Sequence, residues 1–409
     1  MLESYQVEHN SQNIYYRSIV GAAEAGSRLR LGIRIRTYEP IQQVLVRLWQ
    51  DQTGERLIPL ETRDTQGEQK FYTAWFNLPD YGCLVWYYFI ITMESGTYFY
   101  GNNAEMLGGV GALSTSAPES YQITIYNKGA RTPDWFKNAV MYQIFPDRFA
   151  RAGDTIVKKK GAVIRTDWTD DPMYLKDPDT KEIIAYDFFG GNLRGVMEKL
   201  DYLKDLGISC IYFNPVFESE SNHHYDTGDY HKIDPVLGDI EDFRALVTAA
   251  EQRGIRIILD GVFSHTGSNS IYFNRQQQYS SLGAYQSKES PYYSWYHFRN
   301  YPNEYDCWWN FETLPNVNET DPAYMDFVIT GKDSVLHHWM NEGIAGWRLD
   351  VIDELPPTFS KTFFAELKKR NPDAVMIGEV WEDASNKVAY GTPREYLSGN
   401  EMDSAMNYP

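Results

Sequence analysis

The sequence predicts an α/β protein, an incomplete (β/α)8 TIM barrel of about six strands preceded by an immunoglobulin-like β-sandwich. Three observations predict it. The first part of the chain alternates apolar and polar residues at period 2. From Asn138 onward, short runs rich in Val and Ile alternate with helical patterns, as in a parallel sheet covered by helices. Those runs end at or near polar or charged residues (Asp147, Asn214, Asp260, Asp350, Glu379), and barrels of this kind carry their chemistry at the C-terminal ends of the strands.

In "RLRLGIRIRT", Leu29, Leu31, Ile33 and Ile35 alternate with Arg30, Gly32, Arg34 and Arg36, which buries one face of a strand. "QQVLVRLWQD", "FYTAWFNL", "CLVWYYFIITM" and "YQITIY" continue the pattern, separated by Pro, Gly and Asp, so residues 1–128 form the sandwich. "NKGARTPDW" reads as a linker, and residues 129–409 form the barrel domain. Its strands are "AVMYQIFP", "ISCIYFNP", "IRIILDGVF", "IAGWRLDV" and "AVMIGEVW", with "EMDSAMNYP" as the sixth. "GVMEKLDYLKDLG" and "IEDFRALVTAAEQRG" are helices between them, the second stopped at Gly254. A doubly wound sheet is the alternative, but no Gly-rich phosphate loop follows any strand. The long gap after "ILDGVF" predicts an inserted subdomain at residues 265–325. Between Tyr285 and Phe311 it holds Trp295, Trp308 and Trp309 among many aromatics, which either pack the insertion or wall the active face.

A net charge of −18 argues against nucleic acid or an anionic membrane as partner, and no apolar run is long enough to cross a bilayer. The start has no basic segment followed by an apolar stretch, so a cytoplasmic location is expected. Cys83, Cys210 and Cys307 lack metal-ligand spacing and read as reduced, mostly buried thiols. The basic run Lys158-Lys159-Lys160 reads as a solvated loop. An aromatic content of 15% suits ligands with flat apolar faces, such as sugars, and also suits core packing.

"GWRLD" places Arg348 and Asp350 two residues apart, on the same face of a strand. That is either a structural ion pair or a site tuning a carboxylate. Asp350 and Glu379 end consecutive strands and so project into one barrel mouth. Two carboxylates there suit a retaining glycosidase, in which one attacks the anomeric carbon and the other, its pKa raised, acts as acid and then base. Arg348 would favour the ionised form of Asp350.

Five segments in order carry a resemblance: "GISCIYFNPVFES", "DGVFSH", "LPNVN", "GWRLDVIDE" and "GEVW". From Asn138 to its end the chain resembles the α-amylase superfamily, glycoside hydrolase family 13, and within it the neopullulanase, cyclomaltodextrinase and amylopullulanase-like members. The resemblance implies Asp350 as nucleophile, Glu379 as general acid/base and Arg348 as the arginine that positions the nucleophile. It implies that Tyr225 and His265 contact the reacting sugar, that Asp260 braces the site, and that Trp381 belongs to the substrate-binding set. His223, His224 and His231, with Asp226 and Asp229, could be read as a zinc site, but the resemblance favours a sugar-binding loop. Calcium would be held by Asp154, Gly190 and Asn192, and no other cofactor is expected.

The substrate class so implied is α-1,4-linked glucan: maltooligosaccharides, cyclodextrins, pullulan or starch. A transglycosylase or isomerase on the same site, or a non-catalytic glucan-binding fragment, are the alternatives. The first domain resembles a family 34 carbohydrate-binding module and would allow a homodimer. A barrel of this type closes with eight strands, and the family places its third acid after the seventh. The expectation is therefore that these 409 residues are C-terminally truncated and inactive alone.

Overall fold

The computed structural model describes residues 6–153, 159, 161–176, 178 and 183–408. The chain divides into two compact units. One comprises Met1–Arg131, Ala384–Val388 and Pro393–Glu401, the other Thr132–Asp383, Ala389–Thr392 and Met402–Pro409.

The first unit holds two sheets around one apolar core. The smaller sheet runs Gln6–Glu8, Arg28–Arg36, Gln69–Asn77, Glu61–Gln66, all antiparallel. In the larger sheet Cys83–Met93 pairs with Ile41–Gln50 along one edge, and with Gly96–Gly101 and Tyr121–Tyr126 along the other. Leu29, Leu31, Ile33 and Ile35 from the first sheet meet Val44, Val46, Val85, Phe89 and Ile91 from the second, all buried. The period-2 alternation thus builds the sandwich as the sequence implies.

One polar side chain sits inside this core. His9 is fully buried, its Nδ1–H donating to the Gly32 carbonyl (2.7 Å) and its Nε2 accepting from the Tyr87 hydroxyl (2.9 Å). Burial lowers its pKa to about 3. A folded pKa below the unfolded one gives stability that is complete above about pH 6.5 and is lost as the pH falls towards 3. His9→Gln is therefore expected to remove about 2 kcal/mol of the stability lost between pH 7 and pH 5. Urea unfolding at both pH values checks this, and an unchanged difference would show that His9 does not titrate in that range.

The second unit is built on six parallel strands: β1 (Met141–Ile144), β2 (Cys210–Phe213), β3 (Arg256–Gly261), β4 (Gly346–Leu349), β5 (Val375–Gly378) and β6 (Ser404–Ala405). Each pairs with the next in the chain, so spatial order equals sequence order. That is a curled part of a barrel. A doubly wound sheet would reverse its order at a switch point. β2, β4 and β5 are buried throughout, which explains their apolar composition. Gly346 admits the close approach of β5, because a Cβ there would lie 2.0 Å from the Val375 carbonyl oxygen.

Helices between the strands begin where side chains cap them. Asn192 caps Leu193–Glu198, Asp239 caps Ile240–Glu251 and Ser334 caps Val335–Asn341, each accepting from a backbone N–H. No helix among the described residues is long and apolar enough to cross a membrane.

After β3 the chain makes short turns held by aromatic contacts. Phe273 packs on Tyr296 and Tyr305 at ring distances of 4.8 and 4.7 Å, and Trp295 on Tyr324 at 5.0 Å. Of the same segment, Trp308 and Phe311 line the cleft described below.

One expectation is corrected and another refined. Lys159 is not a solvated side chain: its ammonium bonds Asp234 and the Ser219 carbonyl, because the fully buried Asp234 carboxylate requires a cation. Lys158 and Lys160 lie outside the described residues. All three cysteines are free thiols, as expected, but only Cys210 is fully buried; Cys83, packed against the sandwich core, and Cys307 are half-buried.

Candidate active site

The register of the parallel sheet assembles the site. Asp260 on β3 faces Arg348 on β4, and Arg348 and the residue after its strand, Asp350, leave the same face. The Arg348 Nη1 lies 2.7 Å from Asp350 Oδ1 and 2.9 and 3.0 Å from the two Asp260 oxygens. Its Nη2 lies 2.9 Å from Glu379 Oε2. One guanidinium therefore bridges three carboxyls from three consecutive strand ends. The opening in front of them is a cleft of about 630 Å³ lined by Tyr225, His265, Trp308, Phe311, Asp350, Glu379 and Trp381, among others. Five of the residues singled out in the sequence, Asp350, Glu379, Tyr225, His265 and Trp381, meet at that cleft, while Arg348 and Asp260 lie behind it.

Each member is held by neighbours. Asp260 Oδ2 accepts from the Tyr212 hydroxyl (2.5 Å) and the Tyr225 hydroxyl (3.2 Å). Tyr225 in turn receives Asn214 Nδ2 (3.1 Å), and Asn214 receives Gln143 Nε2 (2.9 Å). Glu379 accepts from the Val351 N–H (2.9 Å), the Trp381 indole (3.1 Å) and the Tyr408 hydroxyl (3.3 Å). Val351 adopts φ 38°, a left-handed conformation rare for a β-branched residue, which costs roughly 1–3 kcal/mol and aims its N–H at Glu379.

His265 is buried, which lowers its pKa to about 4. Its Nε2–H donates to the Tyr225 carbonyl (3.1 Å) and its Nδ1 accepts from Ser264 (2.9 Å), so both ring nitrogens are engaged.

The electrostatics reverse one expectation. Burial, reinforced by Asp260 and Glu379, raises Asp350 well above the ordinary carboxylate range despite Arg348. Burial also acts to raise Glu379, but Arg348 and the Val351 N–H outweigh it and lower its pKa. The physical reason is competition: Arg348 divides its charge among three carboxyls, and Glu379 has three further donors. In the free site Asp350 therefore binds a proton more tightly than Glu379.

The three histidines do not form a cluster. His223 lines the cleft, His224 lies 3.1 Å from Asp234, and His231 bonds the Asp333 carbonyl. Gly190 and Asn192 do not line the cleft, and Asp154 lies outside the described residues. The Asn192 amide oxygen already accepts from the Gly195 and Ala152 N–H groups, and its Nδ2 donates to the Ala152 carbonyl. A hard cation wants several oxygens, and the set expected to hold calcium also needs Asp154. Among the described residues, no group of three or more His, Cys, Asp or Glu could hold a metal ion.

Residues 143–409 match the family described as the alpha-amylase catalytic domain. The chain belongs to that α-amylase family. It is similar to the amylopullulanase of Thermoanaerobacterium saccharolyticum, 37% identical over 434 residues that cover 98% of this chain and 33% of that protein. It thus spans about a third of the length of that relative. A solved cyclomaltodextrinase superposes with a TM-score of 0.59 at 27% identity, covering 100% of this chain and 64% of the other. The maltose complex of a cyclic α-maltosyl-(1→6)-maltose hydrolase from Arthrobacter globiformis aligns at a TM-score of 0.55 and 32% identity, over 68% of this chain and 56% of that one. Among the residues of this α-amylase family member, sequence reasoning missed Tyr212. It stands inside an apolar strand, and only its period-2 relation to Cys210 and Asn214 shows that it faces the barrel interior.

Proposed function

We propose that this chain carries the centre of a retaining glycosidase acting on α-1,4-glucosidic bonds of maltooligosaccharides, cyclodextrins, pullulan or starch. The observation that carries it is the bridge through Arg348 between Asp350 and Glu379 at the floor of an aromatic-walled cleft. Names of relatives that act on pullulan and cyclomaltodextrins, and a neighbour's complex with maltose, support the substrate class.

In this reading the proton held on Asp350 passes to Glu379 as substrate binds, leaving Asp350 as a carboxylate. An Asp350 oxygen then forms a bond to the anomeric carbon as the glycosidic C–O bond breaks. The departing oxygen takes its bonding pair and the Glu379 proton. Glu379 next accepts a proton from water, whose oxygen attacks the same carbon and frees Asp350 with overall retention. Arg348 stays charged throughout and offsets the charge that moves between the two carboxyls. Tyr225, half-buried against the cleft, and Trp308, Phe311 and Trp381 offer flat faces to sugar rings.

The test, run on a form that carries this segment in a completed barrel, is incubation with maltotriose, β-cyclodextrin, pullulan and starch, reading the newly released reducing end by NMR before it mutarotates. The α-anomer is expected from all cleaved substrates. Release of the β-anomer would rule out this mechanism. In the same assay Tyr225→Ala is expected to lower kcat/KM about a hundredfold with only a small fall in Tm. A large Tm loss with normal kinetics would instead mark Tyr225 as a packing residue.

A further inference from the structure

Two buried carboxyls, Asp260 and Asp350, the half-buried Glu379 and one guanidinium leave the cluster two negative charges in excess if all are ionised. No second cation touches them among the described residues, and burial opposes such an excess strongly. The cluster therefore retains a proton, and the question is which carboxyl holds it. Asp260 competes for it, since its carboxyl is fully buried and burial raises its pKa.

The hydrogen-bond inventory answers this. Asp260 accepts from Arg348 at both oxygens, from Tyr212 and from Tyr225. Glu379 accepts from Arg348, Val351, Trp381 and Tyr408. Asp350 has Arg348 as its donor, and its remaining charged neighbours, Asp260 and Glu379, repel its ionised form. The shortest of the bonds to Asp260 is the one from Tyr212. Tyr212 is buried on β2, its ring also flanks the Arg348 guanidinium at 5.7 Å, and it makes no contact with the open cleft.

We propose that Tyr212 is a positioning residue for the proton used in catalysis: its hydroxyl keeps Asp260 a carboxylate, so that the proton resides on the Asp350–Glu379 pair. The proposal rests on the glycosidase reading for its catalytic meaning and on the geometry alone for the proton's location. The groups facing Asp260 are Tyr212 on β2, Arg348 and Asp350 on and after β4, and Tyr225 from the loop after β2. Removal of a hydrogen bond to a charged group is expected to raise the proton affinity of Asp260 roughly ten- to a hundredfold. The proton then shifts to Asp260 and leaves Glu379 with none to give.

Infrared spectroscopy of the 409-residue chain at neutral pH reads the carbonyl stretch of a buried carboxylic acid without turnover. In the wild type that band is expected to vanish in Asp350→Asn and persist in Asp260→Asn. In a Tyr212→Phe background the band should instead survive Asp350→Asn, because Asp260, freed of its shortest hydrogen bond, then holds the proton. Tyr225→Phe, which deletes the longer 3.2 Å bond, should shift the balance in the same direction by a smaller amount, and carries the test if Tyr212→Phe does not fold. Absence of any such band in the wild type, or a band that still follows Asp350 in both Phe variants, would overturn the proposal. With substrate, Tyr212→Phe should lose at least about tenfold in kcat on maltotriose while retaining activity on α-maltotriosyl fluoride, whose leaving group needs no proton. Because the band is read without substrate, a form with a completed barrel that shows the expected pattern yet cleaves no glucan would sink the glycosidase reading and still support the proton's location.

Discussion

Asp350→Asn is expected to reduce turnover of maltotriose by roughly 10⁴-fold or more, and of α-maltotriosyl fluoride by a comparable factor. The carboxylate oxygen is the atom that bonds the anomeric carbon, and an amide cannot replace it whatever the leaving group. Glu379→Gln should differ. It is expected to lose about 10²- to 10⁴-fold on maltotriose, where an alkoxide would otherwise depart unprotonated, but much less in the glycosylation step with the fluoride. Both side chains keep their size, and both lie beside Arg348, so neither amide should unfold the barrel. Burst kinetics with the fluoride give a second reading: a glycosyl-enzyme should accumulate in Glu379→Gln, because the water that releases it has lost its base. Equal losses on both substrates for both variants would contradict the division of roles between the two residues.

What could be read from the sequence depended on whether a residue's signal was local. The strands were legible because burial on both faces demands unbroken apolar runs, and β2, β4 and β5 are such runs. The Arg348–Asp350 pair was legible because two residues apart on a strand means one face, and the 2.7 Å contact follows. Asp260 was read as a brace from its motif, but its contact with Arg348 was not, since the two meet only through the β3–β4 register, a long-range fact. Lys159 misled for the same reason. A run of three lysines is usually solvated, but here Asp234, 75 positions away, captures the middle one. The proton distribution was hidden too. From the motif alone Arg348 serves Asp350, whereas in the fold it serves three carboxyls, and the order of their proton affinities follows from hydrogen bonds that no local pattern encodes.

Arg348→Met is expected to destabilise the barrel unit by about 3–5 kcal/mol at neutral pH, the range for removing one partner of a buried ion pair. Arg348 is 3% exposed, and Asp260 is 1% exposed, so water cannot replace the guanidinium. Methionine fills most of the volume, which separates the electrostatic loss from a cavity. The sign of the pH dependence follows from the direction of the shifts. Burial already raises Asp260 and Asp350, Asp350 also through repulsion by Asp260 and Glu379, and loss of the cation raises them further. A carboxyl whose folded pKa exceeds its unfolded one contributes stability that is complete below the unfolded value, near pH 4, and is lost as the pH rises through the folded one. The variant should therefore approach wild-type stability on acidification towards pH 4 and diverge from it on the way back to pH 8. Arg348→Lys restores the charge but not the fork that reaches Asp350 and Glu379 together, so it should recover most of the stability and little of the turnover. Urea unfolding of the three proteins across that range checks the argument. A Met variant with the same deficit at every pH would mean that Arg348 acts there through packing and not through its charge.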